Sequence, residues 1–386
     1  MKKLVFGLLP VVLIVVLVVL FLSFWSSDSV AETPPVEILK LERITLNPDL
    51  IELRMRNDGP DPVEIAQVLV NGAYWQFELE PEGAVRRLQK KVVRIEYPWI
   101  EGDDQHITLV TSTGVTIDVE IPAAVASPDS RWRFAGTLAL LGLLIGVVPV
   151  FIGLLWFPFI RSLKSEWYGF FLALTVGLLV FLGVDAVEEA LEAVHDAPES
   201  LSGIGVLLIG FFLSFLFLFY LSRGRKKVKG SDEGTWRNRL LAFNVAFGIG
   251  IHNFGEGLAV GSAFALGNVA LGALLVVGFM IHNVTEGIPI VAPLAKLKTR
   301  LSYLILLGLL AGAPAIVGAW IGGFAYSAIW AVFFLGIGAG AVFQVAIEIG
   351  INLAKEGATR VFSLHSVSGF SLGLVLMYGT GILIVV

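Results

Sequence analysis

Cysteine is missing from all 386 residues, which excludes thiolate metal ligands and disulfides and leaves the redox compartment open. Charge is also scarce. Charged residues make up 15% of the chain against 56% hydrophobic, whereas a soluble domain carries about a quarter charged residues. The net charge of −5 is modest, and nothing in it points to nucleic acid. Only five histidines occur. No Lys or Arg lies inside any of the long apolar runs after Phe134, so a carboxylate within them has no basic partner there.

The apolar residues are arranged to span a bilayer. Eight segments are long enough to cross as helices, at about 134–160, 167–190, 201–222, 240–264, 269–295, 301–326, 328–353 and 361–386. The 42 glycines fit close helix packing in such an assembly. A further apolar run, Leu4 to Trp25, follows Lys2 and Lys3, so residues 1–27 read as a signal anchor or a signal peptide, with its length favouring the anchor. The basic loops Arg161–Glu166, Arg223–Arg239, Lys296–Arg300 and Lys355–Arg360 alternate with acidic or uncharged ones. Positive loops stay in the cytoplasm, which puts the C-terminus outside and makes 223–239 a basic cytoplasmic loop.

Residues 33–126 differ in kind. Short runs of alternating apolar residues (Ile51–Met55, Val63–Val70, Val92–Tyr97, Ile107–Ile121) are separated by turn signals such as Asn71-Gly72 and Pro81-Glu82-Gly83. This predicts an extracellular β-sandwich, immunoglobulin- or fibronectin-like in pattern, that spaces or stabilises the membrane part or binds a partner. The expected fold class is therefore an α-helical polytopic membrane protein, an eight-helix bundle at 133–386, with an N-terminal anchor and an external β-sandwich.

Two segments carry the same motif. One reads Ile251-His252-Asn253-Phe254-Gly255-Glu256-Gly257, the other Ile281-His282-Asn283-Val284-Thr285-Glu286-Gly287. Consecutive spans run in opposite directions, so the repeats can face each other near the midplane, as inverted elements of transporters do. Within each repeat His and Glu are four apart and Asn and Glu three apart, so all three share a helical face. Two imidazoles, two carboxylates and two amide oxygens suit a first-row divalent ion such as zinc, iron or manganese better than magnesium or calcium. A buried carboxylate in a membrane costs at least ~2.5 kcal/mol, and a bound cation is the simplest way to neutralise several together. Asp185, with Glu188, Glu189 and Glu192, forms an acidic helix end that could draw cations in. Glu348 and Gln344, one turn apart in the seventh segment, extend the candidate path, and Pro289 frees a carbonyl in the turn after Glu286.

With these paired H-N-x-x-E-G motifs the chain resembles the ZIP (Zrt/Irt-like) family of metal transporters over Arg133–Val386. The resemblance implies transport of zinc, iron, manganese or cadmium toward the cytoplasm. It implies a metal centre of His252, Asn253, Glu256, His282, Asn283 and Glu286, with Glu348 matching the family's seventh-helix glutamate. The chain departs from the family at Ala311-Gly312-Ala313-Pro314-Ala315-Ile316, where many bacterial relatives carry a sixth-helix glutamate in a pattern like S-G-x-x-E-P; this predicts one principal ion, or a weaker second one. No catalytic cofactor is expected: Zn2+ or another divalent transition metal is the transported substrate, and the partners are that ion and the lipid bilayer, with a homodimer left open. Two rival readings are an intramembrane zinc-dependent hydrolase, which would use the same ligands around an open water position, and a receptor that senses through the β-domain.

Overall fold

Alternation of inward apolar and outward polar residues builds eight strands between residues 39 and 121 of the computed structural model: β1 (Leu39–Asn47), β2 (Leu50–Asn57), β3 (Ile65–Val70), β4 (Ala73–Trp75), β5 (Glu78–Glu80), β6 (Lys90–Ile95), β7 (Gln105–Thr111) and β8 (Thr116–Ile121). The described residues are 13–17, 19–20, 36–127, 131–163, 165–198, 201–224, 233–355 and 363–385. The predicted anchor at 1–27 therefore lies outside them except for 13–17 and 19–20, which are helical and exposed. Residues 225–232 of loop 223–239 and 356–360 of Lys355–Arg360 lie outside them as well, and 233–239 are helical.

The strands form two antiparallel sheets in the orders β1-β2-β6-β5 and β4-β3-β7-β8. Side chains from both, including Ile51, Leu53 and Val93 from one and Val68, Ile107 and Leu109 from the other, join in a single buried core. The Asn71-Gly72 signal makes the β3–β4 turn, with positive φ at both residues (51° and 80°), the backbone that a two-residue hairpin loop requires. The single expected run Ile107–Ile121 is in fact a hairpin, β7 and β8, that turns back at Ser112–Gly114.

The rest of the described chain is helical: α1 (Arg131–Ser162), α2 (Ser165–Asp196), α3 (Gly203–Gly224), α4 (Glu233–Ala265), α5 (Val269–Val291), α6 (Leu301–Ala325), α7 (Ala328–Lys355) and α8 (Leu364–Val385). Among the described residues six of these stretches (α1, α2, α3, α5, α6 and α7) are long and apolar enough to cross a membrane, and the protein is membrane-embedded. The predicted segments 240–264 and 361–386 lie on α4 and α8. On α4 the polar residues Asn244, His252, Asn253 and Glu256 dilute the apolar character, whereas α8 is as apolar as α7 over its length.

Two helices are interrupted where they matter most. A π-helical turn, Leu143–Val147, precedes Pro149 in α1, and α6 is broken at Ala313–Pro314. Helix α4 packs closely on α6 because four glycines face the other helix's backbone. A Cβ on Gly257 or Gly261 would strike the Ala315 or Ala319 carbonyl, and one on Gly318 or Gly322 would strike that of Phe254 or Leu258. The β region sits on one end of the helices. Gly267, in the α4–α5 turn, lies near Ile44 and Ile121, and Lys40 Nζ donates to the His195 carbonyl at 3.3 Å.

This packing makes a direct prediction. Gly261→Leu forces a side chain into the α6 backbone, and overpacking of this kind costs about 1–3 kcal/mol or more. A lower melting temperature of the detergent-purified protein is expected, whereas Gly350→Leu, with nothing within 4 Å of its added Cβ, should not lower it. Equal melting of the two variants would refute the close contact.

Candidate metal centre

The two motifs meet. Helices α4 and α5 are joined by a turn at 266–268, so they run in opposite directions. The His252 and His282 rings lie 6.5 Å apart between centroids. Ligand atoms of His252, Glu256, His282 and Glu286 all fall within 4.8 Å of one another, and all four residues are buried. This group could hold a metal ion. Helical spacing explains it: a four-residue step places His and Glu of each motif one turn apart on the face turned to the partner helix.

The polar atoms here are short of partners. Both Glu286 carboxylate oxygens, Glu256 Oε1, both His252 ring nitrogens and His282 Nε2 are buried without a hydrogen bond. His252 Nε2 approaches Glu256 Oε1 to 3.4 Å without hydrogen-bond geometry. Among the described residues no Lys or Arg pairs with either glutamate. Buried polar atoms are ordinarily satisfied, and a set of imidazole nitrogens and carboxylate oxygens is the donor chemistry of a first-row divalent cation.

The asparagines secure this arrangement. Asn283 Nδ2 donates to Glu256 Oε2 at 2.5 Å and to the Ile145 carbonyl of α1 at 2.8 Å. Asn253 Nδ2 donates to the Ala311 carbonyl of α6 at 3.2 Å. Each acceptor lies at an interruption of its helix. Pro149 has no N–H to offer the Ile145 carbonyl four residues before it, and Ala311 precedes the break at Pro314. The amide oxygens of both asparagines stay buried and unpaired, as the expected ligand role requires. The Thr380 hydroxyl of α8 stands 3.4 Å from His282 Nδ1, a position from which it can fix the ring.

The final glycine of each motif has a purpose as well. A Cβ on Gly257 would meet α6 and one on Gly287 would meet the backbone of α1 at Gly153. The repeat thus reads alike on both helices: His and Glu converge on the centre, while Asn and Gly grip one neighbouring helix, α6 for the first copy and α1 for the second.

The other expected residues lie apart from this group. The half-buried Asp185 and Glu189 on α2 are within electrostatic reach of His252 and Glu256. Glu348 and Gln344 sit elsewhere. Gly338 abuts His252 on antiparallel α7, and Glu348 lies ten residues further along, ~15 Å at the helical rise. There the Ser222 hydroxyl donates to Glu348 Oε2 at 2.6 Å and Gln344 Nε2 donates to the same oxygen at 3.2 Å, with Asn244 Nδ2 3.5 Å from Ser222 Oγ. Ser222, Asn244, Ile145, Ala311 and Thr380 were not singled out from sequence. Pro149 was the available signal for the Ile145 carbonyl.

No protein-family model matches the chain, and no curated protein matches it.

The Asn283 contacts can be tested. Asn283→Ala leaves Glu256 and the Ile145 carbonyl without their donor, which costs about 1–3 kcal/mol for a buried group. Loss of a residue that orients a ligand weakens metal binding by about 10–100-fold. Calorimetric titration of the purified variant with Zn2+ should show that loss, and wild-type affinity would contradict the positioning role.

Proposed function

We propose that this chain is a carrier of divalent transition-metal cations, zinc foremost, across the membrane through the centre formed by His252, Asn253, Glu256, His282, Asn283 and Glu286. The observation that carries the reading is the buried convergence of His252, Glu256, His282 and Glu286 on antiparallel helices, with their ligand atoms within 4.8 Å of one another. In this reading all eight helices form one membrane bundle, the two sheets form an external β-sandwich, and the basic loops face the cytoplasm. The resemblance to the ZIP family supports the same direction of transport, inward.

The chemistry follows from the donor set. The incoming ion exchanges water for imidazole nitrogens and carboxylate oxygens, and its charge offsets the carboxylates that have no basic partner. Because the ligands must be deprotonated to bind, loading releases protons, and Glu256 and Glu286 can take them up again as the ion leaves. Asp185 and Glu189 gather cations on one side of the centre. Glu348 and Gln344, with Ser222 and Asn244, receive the ion on the other. One principal ion, or a weaker second one, is expected, since Ala315 stands where an acid was looked for.

Uptake into proteoliposomes tests this. Purified protein should move Zn2+ down its gradient, and Glu256→Ala and His282→Ala should each abolish the flux. Wild-type-like uptake in both variants would overturn the reading. Hydrolysis of lipid or peptide by protein that moves no metal would favour the zinc-dependent hydrolase instead.

A further inference from the structure

Three arginines from different parts of the chain line one cavity of about 390 Å³ between the β region and the ends of the helices. Arg43 comes from β1, Arg54 from β2 and Arg131 from the first turn of α1. Phe134, Phe264 and Phe324, from α1, α4 and α6, supply its apolar wall. We propose that this cavity binds a phosphate-bearing anion, in the manner of the headgroup of an anionic phospholipid.

The first argument is charge without a counter-charge. Other arginines of the β region are paired: Arg56 holds Glu42 at 2.8 Å and Asp58 at 2.5 Å, and Arg94 holds Glu52 at 2.9 Å and Glu80 at 2.6 Å. Among the described residues Arg43, Arg54 and Arg131 form no ion pair, and the acid whose charge acts on Arg43, Glu52, is the one already bound by Arg94. Burial first, and then repulsion from Arg54 and Arg131, hold the Arg43 guanidinium below its ordinary pKa. Three like charges turned to one space are unfavourable unless an anion shares it.

The second argument is donor geometry. Arg43 Nε is buried with no hydrogen-bond partner. Arg43 and Arg131 stack at 5.4 Å over the rings of Phe134 and Phe324. Stacking fixes the plane of a guanidinium but leaves its in-plane N–H groups free, and that fork matches two oxygens of a phosphate.

The third argument is the setting. Phe264 and Phe324 stand at the last residues of α4 and α6, and Arg131 begins α1, so the cavity lies at the ends of apolar helices, where a headgroup sits. Immediately along α1 and α6 the side chains of Trp132, Leu140, Val317 and Ile321 are exposed, an apolar surface fit for acyl chains. Trp320 Nε1 donates to the Ala135 carbonyl at 2.9 Å and joins the two helices. A bound headgroup would fasten β1 and β2 to α4, which carries the first motif of the metal centre, and to α6, which packs on it.

Native mass spectrometry of the full-length protein in neutral detergent tests the proposal, with phosphatidylglycerol, phosphatidylcholine and inorganic phosphate as probes. Phosphatidylglycerol should be retained in preference to phosphatidylcholine, and Arg43→Gln/Arg54→Gln/Arg131→Gln should weaken its binding by at least ~10-fold, with the loss of several charge-assisted forks. Arg54→Gln alone, on an exposed side chain, gives the same readout, at smaller size, should the triple variant not fold. Displacement of the lipid by millimolar inorganic phosphate would support the phosphate group itself as the ligand; retention against it would support the lipid as a whole. Equal retention of both lipids, or unchanged phosphatidylglycerol binding in the arginine variants, would overturn the proposal.

Discussion

Two carboxylates, Glu256 and Glu286, are buried among apolar helices, with no lysine or arginine beside them among the described residues. Each such group costs at least ~2.5 kcal/mol in a membrane unless something compensates it. The surrounding structure is arranged about that cost. Two imidazoles stand against the carboxylates, an asparagine holds one of them in place, and glycines let the neighbouring helices close around the group.

The motif makes sense letter by letter only in three dimensions. His and Glu face the opposite helix because a four-residue step returns to the same side. Asn and Gly face a third helix, where Asn finds a backbone carbonyl and Gly a close backbone approach. The π turn before Pro149 presents the Ile145 carbonyl to Asn283, and Asn253 reaches the Ala311 carbonyl just before the irregularity at Ala313. Each half of the centre is thereby tied to its own flanking helix, α4 to α6 and α5 to α1. In the proposed carrier, relative movement of these two pairs would open or close the centre on one side, and the β region, seated on the ends of α1, α4 and α6, is placed to respond to that movement.

Much of this was legible in the sequence because it rests on local periodicity. Apolar segment lengths located the helices, the Asn71-Gly72 pair located a hairpin, and the thirty-residue repeat located the centre. Strand β1 was missed because charged Lys40, Glu42 and Arg43 interrupt its apolar pattern, though Leu39, Ile44 and Leu46 point into the core. The carbonyl acceptors were missed because every residue has a carbonyl, and only tertiary placement tells which is used; Pro149, four residues after Ile145, was the one local hint. Glu348 and Gln344 were placed on the candidate path from their residue types and spacing, and the antiparallel course of α7 sets them beside Ser222 and Asn244. The arginine cavity was out of reach of periodicity altogether, since its three cations are separated by up to 88 positions between Arg43 and Arg131.

X-ray absorption at the zinc edge of protein loaded with one equivalent of Zn2+ addresses the central claim most directly. The account predicts a mixed shell of imidazole nitrogens and carboxylate oxygens at about 2.0–2.2 Å, with the multiple-scattering signature of two histidines. A shell of water oxygens alone, or one unchanged when His252 and His282 are both replaced by alanine, would contradict it.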